Sequence, residues 1–199
     1  MDNVAVSTDR KTTDDTVKPT IVIVPGLRDH VPEHWQTLLE ARLAKVACVP
    51  RRKGDKLSCA AWVAELDGTL EGVSGPVVLV AHSAGVMITV HWAQMHARRI
   101  QGALLAAPVD LETPLPEGYP TLEAIQANGW LPIPRGRLPF PAIVAASTND
   151  PLCAFARSES YARDWGASLL NAGEVGHLNP AAGFGEWKEA EILLDELWR

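Results

Sequence analysis

From residue 20 onward, short apolar runs alternate with longer stretches whose apolar side chains recur every three or four positions. That alternation predicts strand-helix-strand units around a parallel sheet. Thr20 to Val24 is a run of β-branched residues suited to burial on both faces, and Pro25-Gly26 stops it. Glu33 to Lys45 carries Trp35, Leu38, Leu39 and Leu43 at helical spacing. A short strand fits Ala47 to Val49. Ser58 to Leu70 makes the next helix, with Ser58 as its cap and Trp62, Val63, Leu66 and Leu70 on one face. After Gly75-Pro76, Val77 to Ala81 reads as the most deeply buried strand, and it runs directly into Ser83 and a helical stretch from Ala84 to Arg98.

Further buried strands are expected at Gly102 to Ala107 and Ala142 to Ala146. Helices at Ala154 to Trp165 and Glu186 to Trp198 and a strand at Ala167 to Leu170 complete about six strands. The interval between the Gly102 and Ala142 strands breaks the pattern. It holds Pro108, Pro114, Pro116, Pro120, Pro132, Pro134 and Pro139, which forbid a long regular element. Only a short helix at Thr121 to Ala127 is expected inside it. Excursions of this length within compact domains are usually functional or disordered.

Composition narrows the class. A chain of 199 residues with 47% hydrophobic content fits one domain. The division expected is a disordered tail over residues 1–19 and a folded domain over 20–199. A formal net charge of -6 argues against a nucleic-acid partner, which calls for clustered Lys and Arg. The one basic cluster, Arg51-Arg52-Lys53, reads as a solvated loop. Cys48, Cys59 and Cys153 show neither a disulfide framework nor zinc-ligand spacing. With no signal-peptide pattern and no apolar run of the roughly 20 residues that span a bilayer, a cytoplasmic location and no membrane partner are expected.

The candidate chemistry sits in Ala81-His82-Ser83-Ala84-Gly85. A serine between a buried strand and a helix, with small residues two positions away on each side, is the pattern of a nucleophile elbow. Ala81 replaces the first glycine of that pattern and Gly85 keeps the second. A serine hydroxyl needs a base, a group to orient the base, and donors for a developing oxyanion. On such a fold the order is Ser, then acid, then His, each after a later strand. Asp150 follows the Ala142 strand, and Pro151 keeps it in a loop. Asp110, Asp164 and Asp195 have poorer addresses. His177 follows the last strand in a glycine-flanked run, whereas His30 and His34 precede the nucleophile and His91 and His96 lie on the helix after it. His82 should diverge from its neighbour Ser83. The oxyanion donors expected are the backbone N–H groups of Ala84, at a helix N-terminus, and Leu27, after the first strand.

Other residues keep two readings. His34 faces substrate or bonds a helix end, and Trp130 walls an acyl pocket or simply packs. Arg28, Asp29 and His30 are solvated or bind a polar substrate group.

Pro25-Gly26-Leu27, Glu33-His34-Trp35-Gln36, Ala81-His82-Ser83-Ala84-Gly85, Asn149-Asp150-Pro151 and Gly176-His177-Leu178-Asn179 together resemble the small lidless serine hydrolases related to retinoblastoma-binding protein nine. The resemblance spans residues 20–199. It implies a three-layer α/β-hydrolase fold with six parallel strands, helices on both faces and no large cap domain. The triad it implies falls on Ser83, Asp150 and His177, the trio already read from chain order. Cleavage of small acyl esters is the activity it implies, with peptidase-like cleavage also associated, on a small-molecule substrate and with no cofactor or metal. A compact pocket favouring short acyl chains follows. The protein-binding role in that name is not carried over, because no Leu-x-Cys-x-Glu run occurs. A catalytically silent interaction module is the alternative from another class, and a cofactor-free haloperoxidase-like or lyase-like reaction keeps the fold with different chemistry.

Overall fold

The computed structural model describes residues 17–28, 31–52 and 54–198. Most of the expected tail, together with Asp29, His30 and Lys53, lies outside the described residues. Six strands form one parallel sheet in the order β2-β1-β3-β4-β5-β6. They are β1 (Thr20–Val24), β2 (Val46–Cys48), β3 (Val77–His82), β4 (Gly102–Ala106), β5 (Ala142–Ala146) and β6 (Ser168–Asn171). The helices are α1 (Trp35–Glu40), α2 (Cys59–Glu71), α3 (Ala84–Met95), α4 (Leu122–Ala127), α5 (Phe155–Trp165) and α6 (Glu189–Trp198).

Because successive strand residues point to opposite faces, each central strand feeds two cores. Val22, Val24, Leu79, Ala81, Leu105 and Val144 pack on one side with α2, α3 and α5. Ile21, Ile23, Val78, Val80, Leu104 and Ala145 pack on the other with α1 and α6. Burial on both faces explains why these strands read as unbroken apolar runs.

Two helices are shorter than their apolar periodicity, for the same reason. The carbonyl of Lys45 already accepts from the Ile21 N–H in the sheet, so the chain must leave α1 well before that residue. It does so through tight turns at Arg42 and Leu43. The N–H of Gln101 likewise bonds the Val77 carbonyl, and α3 ends at Met95 with His96 extended. Arg98, expected on α3, instead reaches the carbonyls of Leu70 and Val73 at the end of α2. Local pattern favours a longer helix, and sheet pairing wins.

The proline-rich excursion is an ordered wall. Val109, Leu111, Ile125, Trp130, Ile133, Leu138 and Phe140 are buried in the first core. Arg157 of α5 pairs with Asp110 at 3.0 Å and Glu112 at 3.1 Å. Arg135 pairs with Glu112 and with Asp164 at 3.0 Å, and its guanidinium lies over the Tyr161 ring. Asp110, weighed as a rival acid, is therefore a structural fastener of this wall.

Candidate active site

Parallel strands place all their carboxyl ends along one edge, and the loops there converge. Ser83 leaves β3 with φ 57° and ψ −122°, a conformation that a non-glycine residue holds at a cost of about 1–3 kcal/mol. Its surroundings enforce the turn. The Ser83 N–H bonds the Ala106 carbonyl at 3.0 Å, and its carbonyl accepts from Val86 at 3.0 Å to start α3. Gly85 has no room for a side chain, since a Cβ there would lie 2.2 Å from the Val24 oxygen. A Cβ on Gly26 would lie 3.2 Å from that of Ser83, so the loop after β1 rests directly against the hydroxyl-bearing residue. Ala81 is fully buried within β3, which shows that this position accepts a methyl group.

The loop after β6 brings His177 to Ser83, with Nε2 2.8 Å from Oγ. On the other side of the ring, Nδ1 lies 2.8 Å from Oδ2 and 3.0 Å from Oδ1 of Asp150. The side chains of His177 and Asp150 are 5% and 2% exposed, so this carboxylate-imidazole contact is shielded from water. Asp150 Oδ1 also accepts from the Leu152 N–H at 2.8 Å, which fixes the carboxylate's rotation. The three residues thus form one hydrogen-bonded line. Oriented this way, the ring can take a proton from the hydroxyl while the carboxylate holds Nδ1–H.

The line opens onto a cavity of about 570 Å³. Leu57, Val109, Leu111, Ile125, Trp130 and Leu152 supply much of its wall, and Leu27, Ala84, Ser83 and His177 also line it. Ala84 is the first residue of α3, whose amino end favours negative charge. Arg28 and Tyr119 face each other at the lining, the guanidinium 4.4 Å from the ring centroid. The volume is within the range that takes drug-sized ligands, roomier than the short acyl chains expected from the sequence.

A family model described as serine hydrolase matches residues 21–196. The chain belongs to the serine hydrolase family. Among solved structures, a YdeN-like hydrolase from Pectobacterium atrosepticum shares 31% identity over 91% of both chains, with a TM-score of 0.78. The ydeN gene product of B. subtilis shares 19%, covering 91% of this chain and 99% of that one, with a TM-score of 0.70. Est1E from Butyrivibrio proteoclasticus shares 11% over 90% and 85%, with a TM-score of 0.63. The last two show the fold alone. Comparison with curated proteins returned no match.

In this serine hydrolase the remaining expected residues take definite places. His34 is buried, caps α1 by accepting the Gln36 N–H on Nδ1 at 3.2 Å, and also lines the cavity. The helix-end bond is therefore present, and His34 lies where a molecule in the cavity would meet it. Trp130 likewise packs and lines: its Nε1 donates to the Leu57 carbonyl at 2.6 Å, and its own carbonyl accepts from His91 Nε2 at 3.1 Å. Burial lowers the His91 pKa, so its neutral form is favoured there. Burial pushes the Cys59 thiol up to about 11 and the Cys153 thiol to about 12, so neither is a rival nucleophile at neutral pH.

Gln36 enters the sequence reading only within the Glu33-His34-Trp35-Gln36 motif, with no role of its own. Its buried amide donates to the carbonyls of Val80 at 2.9 Å and Val24 at 3.3 Å, joining the ends of β1 and β3 under the cavity. The available signal was that motif and its place two residues after the His34 cap, in the first turn of α1. His82 was weighed only as a base and set aside. It diverges from Ser83 as expected, but its Nε2 meets the carbonyl oxygen of His177 at 2.8 Å.

Proposed function

We propose that the protein hydrolyses carboxylic esters, or related acyl compounds, through an acyl-enzyme on Ser83. His177 Nε2 takes the Ser83 proton as Oγ attacks the substrate carbonyl carbon. Asp150 holds the Nδ1–H tautomer and stabilises the imidazolium that forms. The backbone N–H groups of Leu27 and Ala84 receive the oxyanion. Collapse of the tetrahedral adduct breaks the bond to the leaving group, which departs with the proton from His177. Water, deprotonated by the same imidazole, then attacks the acyl carbon and releases the acid, and Ser83 regains its proton. Every proton in the cycle moves through His177.

The observation that carries this reading is the unbroken Asp150-His177-Ser83 line, with both imidazole nitrogens at 2.8 Å from their partners. A kinship with the lidless hydrolases related to retinoblastoma-binding protein nine belongs to the same proposal. It is supported by the convergence of Gly26, Glu33, His34, Ser83, His177 and Asn179 on one cavity. The substrate proposed is a small molecule with an apolar acyl group of medium length or an aromatic acyl group, matched to the largely apolar wall. A cytoplasmic setting is part of the proposal, supported by the free thiols of Cys48, Cys59 and Cys153. Among the described residues no helix is long and apolar enough to cross a membrane.

Labelling with a fluorophosphonate probe, followed by peptide mapping, tests the nucleophile. The expected result is label on Ser83 and none on Ser83→Ala. Label elsewhere overturns the Ser83 assignment, and no label on the wild type returns the fold to the interaction-module reading. A panel of p-nitrophenyl esters run beside aminoacyl amides then separates esterase from peptidase chemistry.

A further inference from the structure

His82 is the residue before Ser83, at the carboxyl end of β3. Strand alternation places it on the face of Val78 and Val80, opposite the side on which Ala81 packs. There it is 5% exposed, with its ring centroid 5.0 Å from that of His177 and 4.6 Å from that of His34. A carbonyl oxygen only accepts, so the 2.8 Å contact to the His177 oxygen fixes His82 as the donor through Nε2–H. Burial, followed by the neighbouring His177 and His34 rings, holds the His82 pKa well below its ordinary value. The donor is thus a neutral imidazole. A cation here would oppose the positive charge that His177 acquires during the reaction.

The His177 backbone needs such a tether. It lies between two left-handed residues, Gly176 at φ 57° and Leu178 at φ 46°. Leu178 has no glycine's freedom, and a conformation of this kind persists only where the surroundings over-determine it. On the amino side, the N–H of Gly176 bonds Asn149 Oδ1 at 2.7 Å and that of Val175 bonds Ser147 Oγ at 3.1 Å. These contacts fasten the segment to the loop that carries Asp150. On the other side, the carbonyl of His177 itself is bound to the strand that carries Ser83. The base is strung between the elements bearing its two partners.

We propose that His82 is a positioning residue whose Nε2–H, donated to the His177 carbonyl, sets the approach of the His177 ring to Ser83. The proposal rests on the reading of Ser83 and His177 given above. Removing the donor lets the 175–178 turn relax, and the Oγ to Nε2 contact lengthens, while the apolar wall of Leu57, Val109, Leu111, Ile125, Trp130 and Leu152 stays in place. The loss falls on turnover, not on substrate binding.

The test compares His82→Phe and His82→Gln with p-nitrophenyl butyrate, in the wild-type and His177→Ala backgrounds. The Gln amide places an N–H donor at the reach of Nε2, and Phe places none. Expected are a kcat lower by about 10- to 100-fold for His82→Phe with KM within about two-fold, and recovery to within about five-fold of wild type for His82→Gln. In the His177→Ala background His82→Phe should change the residual rate by less than about two-fold, because a group acting through His177 has nothing left to position. An unchanged kcat, a loss carried by KM, an equal loss in both backgrounds, or no rescue by Gln overturns the proposal. Nitrogen-15 NMR of the wild type gives a reading independent of variant folding: His82 should be the neutral Nε2–H tautomer at pH 7, and a charged ring or the Nδ1–H tautomer overturns it. If hydrolysis survives Ser83→Ala, the reading of the site fails instead, and the two failures are distinguishable.

Discussion

Replacing Gly85 with alanine should disable the site and destabilise the fold together, and the reason is geometric. A Cβ at this position would meet the Val24 oxygen at 2.2 Å and the Pro25 oxygen at 2.8 Å. Non-bonded heavy atoms rest at about 3.5 Å, so the nearer approach is more than an ångström too close. Both clashing atoms are backbone, and neither can rotate away. Relief requires α3 to withdraw from β1, or the end of β1 to move. Overfilling of this kind costs about 1–3 kcal/mol, and rigid backbone on both sides puts Gly85→Ala at the upper end. The same movement separates Ala84 from the Leu27 loop and shifts Ser83 from His177. A displacement near 1 Å is enough for a loss of about a hundred-fold in turnover. Gly68→Ala is the control. Gly68 lies in α2 with nothing within 4 Å of the added methyl, so alanine should stabilise by about 0.5–1 kcal/mol and leave turnover unchanged. Urea denaturation and p-nitrophenyl butyrate hydrolysis measure both variants. Wild-type stability and turnover in Gly85→Ala would refute the reasoning, as would equal losses in the two variants.

Three further expectations address the acid, the wall and a buried histidine. Asp150→Asn should lower kcat by about 10³- to 10⁴-fold with little change in KM, since the amide no longer holds the required tautomer; steady-state kinetics beside a circular dichroism spectrum checks that the fold survives. Trp130→Ala should destabilise by about 3–5 kcal/mol in urea titrations and move the preferred p-nitrophenyl ester to a longer acyl chain, because the ring both packs and bounds the cavity. An unchanged chain-length profile would remove Trp130 from the acyl wall. The lowered His91 pKa has a definite sign: the unfolded chain binds more protons than the native one between the ordinary value near 6.5 and the lower native value, so stability falls as pH drops through that window. His91→Gln keeps a donor for the Trp130 carbonyl and should flatten the pH dependence of stability below about 6.5, and an undiminished slope would assign it to other groups.

The sheet and the meeting of Ser83, Asp150 and His177 at one edge were legible because their causes are local or follow chain order. Strands buried on both faces leave unbroken apolar runs, and a parallel sheet collects the loops after β3, β5 and β6 at one edge. Chain order alone then narrows the residues that can meet there. Helix ends were less legible. Where α1 stops is decided by the bond between Ile21 and Lys45, a partner the periodicity of residues 33–45 does not contain. The size of the cavity was not legible either, because its wall comes from a proline-rich segment that obeys neither periodicity.

The polar contacts beneath the site mark a different boundary. Gln36 and His82 are read from sequence as a helix residue and a strand end, and each earns its place through a backbone carbonyl. Gln36 binds those of Val80 and Val24, and His82 binds that of His177. A carbonyl acceptor exists at every residue, so no particular side chain elsewhere in the sequence signals the partner. What the sequence does offer is adjacency: His82 precedes Ser83, and Gln36 follows His34 by two positions. Polar residues that flank a candidate nucleophile or cap a helix aimed at it, and that would otherwise be buried without a partner, are the ones to test for such contacts. The burial of both residues makes that choice physical, since a buried donor left unpaired costs about 1–3 kcal/mol, and the fold had to supply acceptors where it placed them.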